Sequence, residues 1–450
     1  GDFNVAVGED ALRYFVAGNN TAIGADAMQG ANGSSTGNNN VAVGNQALFA
    51  CTTGTLNTAV GRLSLAANTT GQQNVAVGEG SLENSTTANY NTAIGTKALQ
   101  TTTTGDLNTA VGRNALQANT TGEDNVAVGD QALESNTTAN YNTAVGSQSL
   151  EANTTGTRNT AVGYLSLHLA TTENDNTAVG YGALKDNTTG ASNTAVGSGS
   201  LDSNTTASNC TALGYNALTA NTTGASNVAV GSEALDANTT ASNNTAVGKS
   251  AMGSNTTGAN NTAVGQAALA TNITSSDNTA VGRAALSVTT GDSNTGVGKG
   301  ALENNTSASN NTAVGKVALE ANTTGTQNTA LGANAGKAQT TADNCTWIGN
   351  DAGLVNTASN NTGVGAGSLR ANTTGTRNTA LGCGIYGATH GPLGSNTTGT
   401  RNTALGVLTL RSNTTASNNT AIGAEALADN TTGTRNTAVG SYALDANTTM

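Results

Sequence analysis

The chain has 450 residues, with 58 Gly, 1 Pro, 3% aromatic and 10% charged residues, and a formal net charge of -11 at pH 7. That negative balance and the scatter of its 16 basic residues exclude a nucleic-acid surface, which needs clustered Lys and Arg to displace counterions from phosphates. No stretch of about 18 apolar residues exists to cross a bilayer, so no direct membrane insertion is expected; low charge and scheduled Val, Ala and Leu also exclude a disordered tract.

From Asn4 onward, the phrase Asn-Thr-Ala-Val-Gly or a close variant recurs 26 times, ending at Asn436. Copies start 17 residues apart through most of the chain, without a slip over Asn40, Asn57, Asn74, Asn91, Asn108, Asn125, Asn142, Asn159, Asn176 and Asn193. So short a period makes residues 1–450 one stack of like units, each unable to bury its apolar face alone, and it overrides the prior from length for several domains. Helices are excluded because every turn of the pattern meets Gly, Asn or Thr, each costing about 0.5 to 1 kcal/mol relative to Ala.

Numbering the phrase from its Asn as slot 1, a short strand is predicted over the first four slots and a turn at the slot 5 Gly. A second strand is predicted around slots 8 and 9, as at Ala98-Leu99 and Ala132-Leu133, and a polar return at slots 12 to 15 reads Asn-Thr-Thr-Gly/Ala. The predicted fold class is all-β: a parallel β-solenoid, or β-roll, of 26 coils with a 17-residue period. At about 4.8 Å per strand the expected rod is roughly 125 Å long, with like side chains forming ladders and Asn and Thr passing hydrogen bonds along the axis.

Slots 2 and 4 share one face of the strand and slot 3 points the other way. Slot 3 is Ala in every coil except those with Gly296, Trp347 and Gly363, where a solvated position would vary and carry charge. This strip is therefore expected to contact another chain, placing Ala59, Ala76, Ala93, Ala110, Ala127, Ala144 and Trp347 at the interface of a parallel homo-oligomer. The plainer alternative is that Ala fills a thin, flattened coil. Around Trp347 the slot 9 leucines are replaced by Gly336 and Gly353, so slots 3 and 9 are expected to share one apolar space.

Irregularities follow in chain order. A small polar insertion near residues 30–38 reads as a plain bulge. Sequons recur in the polar return, and Asn68, Asn119, Asn136, Asn153, Asn187, Asn204 and Asn221 are candidate N-glycosylation sites, or simply turn chemistry. Tyr164, Tyr181 and Tyr215 share slot 6 and are candidates to stack against sugars along one edge. Carboxylates after the slot 9 Leu, including Glu134/Glu151 and Glu303/Glu320 in adjacent coils, read as a solvated row rather than a hydrolytic pair. The coil after Asn378 carries a loop near residues 383–394 with the sole proline, Pro392, and its Tyr386 and His390 are candidate receptor contacts. The other histidine, His168, lies too far along a solenoid to join His390, so no catalytic residues are expected. The four cysteines, Cys51, Cys210, Cys345 and Cys383, fit neither an intrachain disulfide framework nor metal-type spacing, and the calcium-binding nonapeptide of other rolls is missing, so no metal or cofactor is expected.

The phrases Asn40-Val-Ala-Val-Gly44, Asn91-Thr-Ala-Ile-Gly95 and Asn125-Val-Ala-Val-Gly129, each followed by a small residue and a Leu, resemble the head repeat of YadA-type trimeric autotransporter adhesins, also seen in phage and virus fibre proteins. The resemblance covers nearly the whole chain. It implies a left-handed parallel β-roll, three chains side by side as a homotrimer, exposure on a cell or virion surface, and binding to host molecules. The longer repeat, without a coiled-coil stalk or anchor barrel, favours a fibre shaft. The expected function is a non-catalytic structural and adhesive fibre shaft on a virion, extracellular, with itself and a host-surface glycan or protein as partners. Its rivals are a bacterial surface adhesin head, a self-assembling extracellular filament and an ice-binding Thr array.

Overall fold

The computed structural model describes residues 3–31, 35–384 and 390–449, which fall into two compact units, Gly1–Ser226 and Asn227–Met450. Of the 26 strands, 13 lie in each unit, from Val5–Val7 to Thr211–Leu213 in the first and from Val228–Val230 to Thr437–Val439 in the second. Each unit is a parallel β-solenoid, and no helix occurs among the described residues. Every strand is 3 residues long and covers slots 2 to 4, paired rung on rung, as in Thr92↔Thr109, Ala93↔Ala110 and Ile94↔Val111. The register survives changes in coil length. Thr279 pairs with Thr295 across a coil of 16 residues, and Thr379 with Thr403 across one of 24. Extra or missing residues are absorbed outside the strand.

Slot 3 faces the interior of its own coil, which corrects the expected chain interface. Ala59, Ala76, Ala93, Ala110, Ala127, Ala144 and Trp347 are all 0% exposed within a single chain, so none can meet a second one. The plainer alternative holds: the coil is thin. At Gly296, which stands in slot 3, an added Cβ would lie 3.2 Å from Cγ of Leu286, the slot 9 leucine of the neighbouring coil. The core is thus Ala at slot 3 against Ala or Ser at slot 8 and Leu at slot 9, with residues such as Ala98, Leu99 and Ser64 wholly buried. Each buried Leu contributes about 1.5–3 kcal/mol. Slots 2 and 4 face outward, as the half-buried Thr160 and Val162 beside buried Ala161 show.

The predicted second strand is replaced by a tightly turned segment. Slots 7, 9 and 17 take left-handed backbone, with φ of 60° at Lys97, 51° at Leu99 and 60° at Leu107. A strand would send Ala98 and Leu99 to opposite sides, whereas left-handed residues at alternate positions let both point inward. The backbone stays satisfied between coils: Leu99 N–H donates to Ala115 O at 3.0 Å and Lys97 N–H to Glu79 O at 2.9 Å. Two adjacent small or apolar residues at slots 8 and 9 of nearly every repeat are the sign in the sequence against an alternating strand.

Two buried asparagine ladders close the coils. Asn57 at slot 1 donates its backbone N–H to Asn40 Oδ1 at 2.9 Å, and its Nδ2 reaches Gly71 O of its own coil at 2.8 Å. Asn68 at slot 12 donates to the same Gly71 carbonyl at 3.1 Å. Slot 12 amides also pass bonds between coils, from Asn136 Nδ2 to Asn119 Oδ1 at 2.9 Å and from Asn153 Nδ2 to Asn136 Oδ1 at 3.0 Å. Threonines of the return add rungs, such as Thr69 Oγ1 to Thr86 O at 3.0 Å.

The slot 12 ladder breaks where the next rung lacks an asparagine. Buried oxygens without a hydrogen-bond partner include Oδ1 of Asn68, Asn153 and Asn322, and the residues one coil on are Ser85, Ala170 and Gln339. An unpaired buried acceptor costs about 1–3 kcal/mol. Ala170→Asn is therefore expected to donate to Asn153 Oδ1 and raise stability by about 1 kcal/mol, read as a higher thermal midpoint; an unchanged or lower midpoint would count against the ladder.

Trp347 is packed inside the stack, as the paired glycines suggest. A Cβ at Gly336 would sit 2.7 Å from Trp347 Cδ1, and one at Gly363 3.0 Å from Cε3. Slots 3 and 9 do share one apolar space. The indole N–H donates to Gln339 Oε1 at 2.8 Å, an oxygen that also accepts from Asn356 Nδ2 at 3.5 Å, so the lone slot 12 glutamine leaves Asn322 Oδ1 unmet while it anchors the tryptophan.

Candidate functional site

Side chains able to meet a ligand stand outside the coil, and the slot pattern sets where. Slot 6 follows the Gly turn and projects into solvent: Tyr164, Tyr181 and Tyr215 are 46%, 62% and 56% exposed. Tyr164 and Tyr181, one coil apart, lie ring to ring with centroids 5.8 Å apart and planes tilted by 34°. Between Tyr181 and Tyr215 the intervening slot 6 residue is Ser198, and slot 7 is Gly182 and then Gly199, with φ of 61° and 67°. Neighbouring coils carry Leu165 and Asn216 at slot 7. The two glycines and the small Ser198 between the tyrosines open a cleft of about 320 Å³, lined by Tyr181, Lys185, Asp202 and Tyr215 among others.

The cleft is polar at its base. Lys185 Nζ lies 3.5 Å from Asp186 Oδ1 and 3.7 Å from Asp202 Oδ1. The two carboxylates, Asp202 first, hold the Lys185 pKa above its ordinary value. Partial burial pushes the Asp202 pKa up, with the Lys185 charge acting against it. The structure thus brings Tyr181 and Tyr215 to one cleft and sets Tyr164 behind Tyr181. Sequence reasoning counts Asp202 only among the solvated row of slot 10 carboxylates and overlooks Lys185 at the same slot; the available signal is the pair of slot 7 glycines beside the tyrosines.

The remaining candidates are dispersed. Tyr386 lies outside the described residues. His390 is half-buried where the long loop rejoins the coil, and burial, followed by the Arg370 charge, holds its pKa below the ordinary histidine value. The sequons are corrected. Asn68, Asn119, Asn136, Asn153, Asn187, Asn204 and Asn221 are all 0% exposed. Their Nδ2 atoms, where a glycan would attach, donate inward, as from Asn187 to Gly190 O at 2.8 Å and from Asn204 to Asn187 Oδ1 at 2.7 Å. The Asn-Thr-Thr triplet is turn and ladder chemistry, and a sugar there would break the coil.

The slot 10 carboxylates do not form matched pairs. Glu151 lies 3.3 Å from His168 Nδ1, Glu320 3.4 Å from Lys337 Nζ, and Glu134 accepts from Gln131 Nε2 at 2.8 Å. Exposed ion pairs such as Arg113 with Asp130 at 2.8 Å tie coils at the surface and contribute about 0–1 kcal/mol. All four cysteines are free, and burial pushes the Cys51 thiol up to about 12 and Cys345 to about 11. Cys210 mimics the asparagine it replaces, its thiol donating to Gly224 O at 3.3 Å. Among the described residues no group of 3 or more His, Cys, Asp or Glu is placed to hold a metal ion, and no helix is long and apolar enough to cross a membrane.

The other exposed feature is the outward strand face. Slot 4 is Val, Ile or Leu in every coil and slot 2 is Thr or Val, with no charge on either row. Ile94, Leu213, Leu331 and Leu381 are 41%, 47%, 48% and 45% exposed. The fold and these surfaces define a β-solenoid repeat protein. The chain matches no family model, and a comparison with curated proteins gives no match.

Proposed function

We propose that this chain is a non-catalytic structural and adhesive fibre shaft, extracellular and displayed on a virion, that associates with copies of itself through the outward strand face. The observation that carries this reading is the uncharged, mostly β-branched row of slots 2 and 4, which runs through all 26 coils while slots 6, 7, 10, 16 and 17 carry charges in places; the Thr-Thr of the polar return is the other near-constant outward row, and it has no Val, Leu or Ile row beside it. In each unit the row covers roughly 12 strand spacings by one strand length, about 58 Å by about 10 Å. That is about 580 Å² in each unit, at the upper end of the apolar patches a monomer exposes. Exposed patches of this size rimmed by polar residues are often interaction surfaces, which supports self-association through this face. A homotrimer in a left-handed roll, as the adhesin-head resemblance implies, is the proposed assembly. The non-catalytic reading is supported by how the buried polar side chains are used: the asparagines close and tie coils, and His168 is engaged with Glu151.

Sedimentation equilibrium tests the proposal. The expected mass is three times that of the chain. A monomer at micromolar concentration would overturn self-association, and with it the shaft.

A further inference from the structure

The cleft between Tyr181 and Tyr215 has a shape and a charge that name a ligand class. We propose that it is a binding subsite for a neutral saccharide, with one sugar ring held between the two tyrosines and its hydroxyls met by Lys185 and Asp202. The inference rests on the adhesive half of the reading above and not on chain association, because all the lining residues belong to one unit of one chain.

Two tyrosines with a small residue between them stand two rungs apart, about 9.6 Å along the stack. A ring in contact with an aromatic surface on either side needs about 3.5–4.0 Å to each. One saccharide ring fits that interval, and a second aromatic layer is not needed. The volume of about 320 Å³ is that of a small ligand site, suited to one or two sugar residues. Tyrosine suits this use because its face offers polarised C–H groups an apolar surface while the ring loses little freedom. Tyr164, at 5.8 Å from Tyr181, backs the first wall.

Polarity selects among flat ligands. A planar apolar ring would strand the base of the cleft, where an ammonium and a carboxylate sit 3.7 Å apart, too long for a direct hydrogen bond. A hydroxyl placed there accepts from Lys185 Nζ and donates to Asp202, so both ions gain a partner. Lys185, Asp186 and Asp202 together carry one net negative charge, which disfavours sialic acids, uronic acids and phosphates. Neutral hexoses and N-acetylhexosamines remain.

The test uses the full chain against immobilised neutral oligosaccharides and against sialylated counterparts, with free neutral oligosaccharide at millimolar concentration as a second arm. The chain is expected to bind at least one neutral class in preference to its sialylated form. Binding only to the immobilised glycan supports repeated weak sites, and binding in both arms supports a single stronger one. Tyr181→Ala and Tyr215→Ala should each weaken binding about tenfold. Gly199→Gln should do the same by filling the cleft, and Gln131 and Gln148 show that slot 7 holds this side chain in the folded coil. Asp202→Asn should weaken binding while leaving the thermal midpoint unchanged. Undiminished binding in Gly199→Gln and Tyr181→Ala, or no neutral saccharide bound in either arm, would overturn the proposal. Assembly mass is read on the same samples. Assembly without saccharide binding removes this subsite alone, whereas saccharide binding by a monomer removes the shaft and leaves the subsite.

Discussion

Ala144→Asp is expected to unfold the coils around it, while Val145→Asp one residue later leaves them folded and separates the chains. Ala144 is 0% exposed and faces the leucine of its stack, whereas Val145 is 36% exposed on the outward face. A carboxylate at slot 3 finds no cation in so thin a core, and an uncompensated buried charge costs about 3–5 kcal/mol. In a stack where each coil touches only its neighbours, a defect of that size melts the coils on both sides of it. Far-UV circular dichroism and limited proteolysis should show the loss. At slot 4 the same carboxylate is solvated, so the thermal midpoint should move by no more than about 0.5 kcal/mol in stability. Its effect should appear in the sedimentation mass, where a repeated negative charge opposes its own copy. The opposite result, with Ala144→Asp folded but dissociated, would restore the outward alanine strip.

The next residue gives the second large effect. Gly146 has φ of 138°, a region closed to side chains, and a Cβ there would overlap the Gly163 carbonyl of the following coil. Gly146→Ala is expected to cost about 3 kcal/mol or more, from backbone strain together with forced separation of two rungs. The contrast is Ala267, at slot 7 with φ of 54°. Ala267→Gly relieves left-handed strain at the expense of unfolded-chain entropy, so it should be neutral or stabilising by up to about 1 kcal/mol. Urea melts of the two variants separate these cases. Equal effects would mean that slots 5 and 7 are under the same constraint, contrary to the geometry.

Much of the architecture was legible because the period itself carries it. The 17-residue spacing gives the rung, and slots 2 and 4 follow from alternation on a strand. Which face points inward was not legible in the same way. Val and Thr at slots 2 and 4 look more core-like than Ala at slot 3, yet a coil this narrow has room only for a methyl group opposite Leu99 or Leu133. Alanine held constant by lack of space and alanine held constant by a partner give one identical sequence pattern. The Trp347 exchange with Gly336 and Gly353 was the best clue, since it already placed slot 3 and slot 9 in a single space. The asparagines misled in a related manner. Asn136-Thr-Thr satisfies a glycosylation pattern, but in the folded coil its amide is spent on Asn119. The cleft was half visible: Tyr181 and Tyr215 stood out as aromatics in a chain nearly without them, whereas Gly199 is informative only once slot 7 is known to overhang the site.

Strand pairing is indifferent to what hangs between the strands, since Thr379 meets Thr403 in register across 24 residues as readily as Thr92 meets Thr109 across 17. Such a scaffold resembles a pegboard. New recognition elements can be grafted one coil at a time, after Gly382 for example, without renegotiating the core, so a lineage built on this repeat can diversify what it grips while inheriting an unchanged framework.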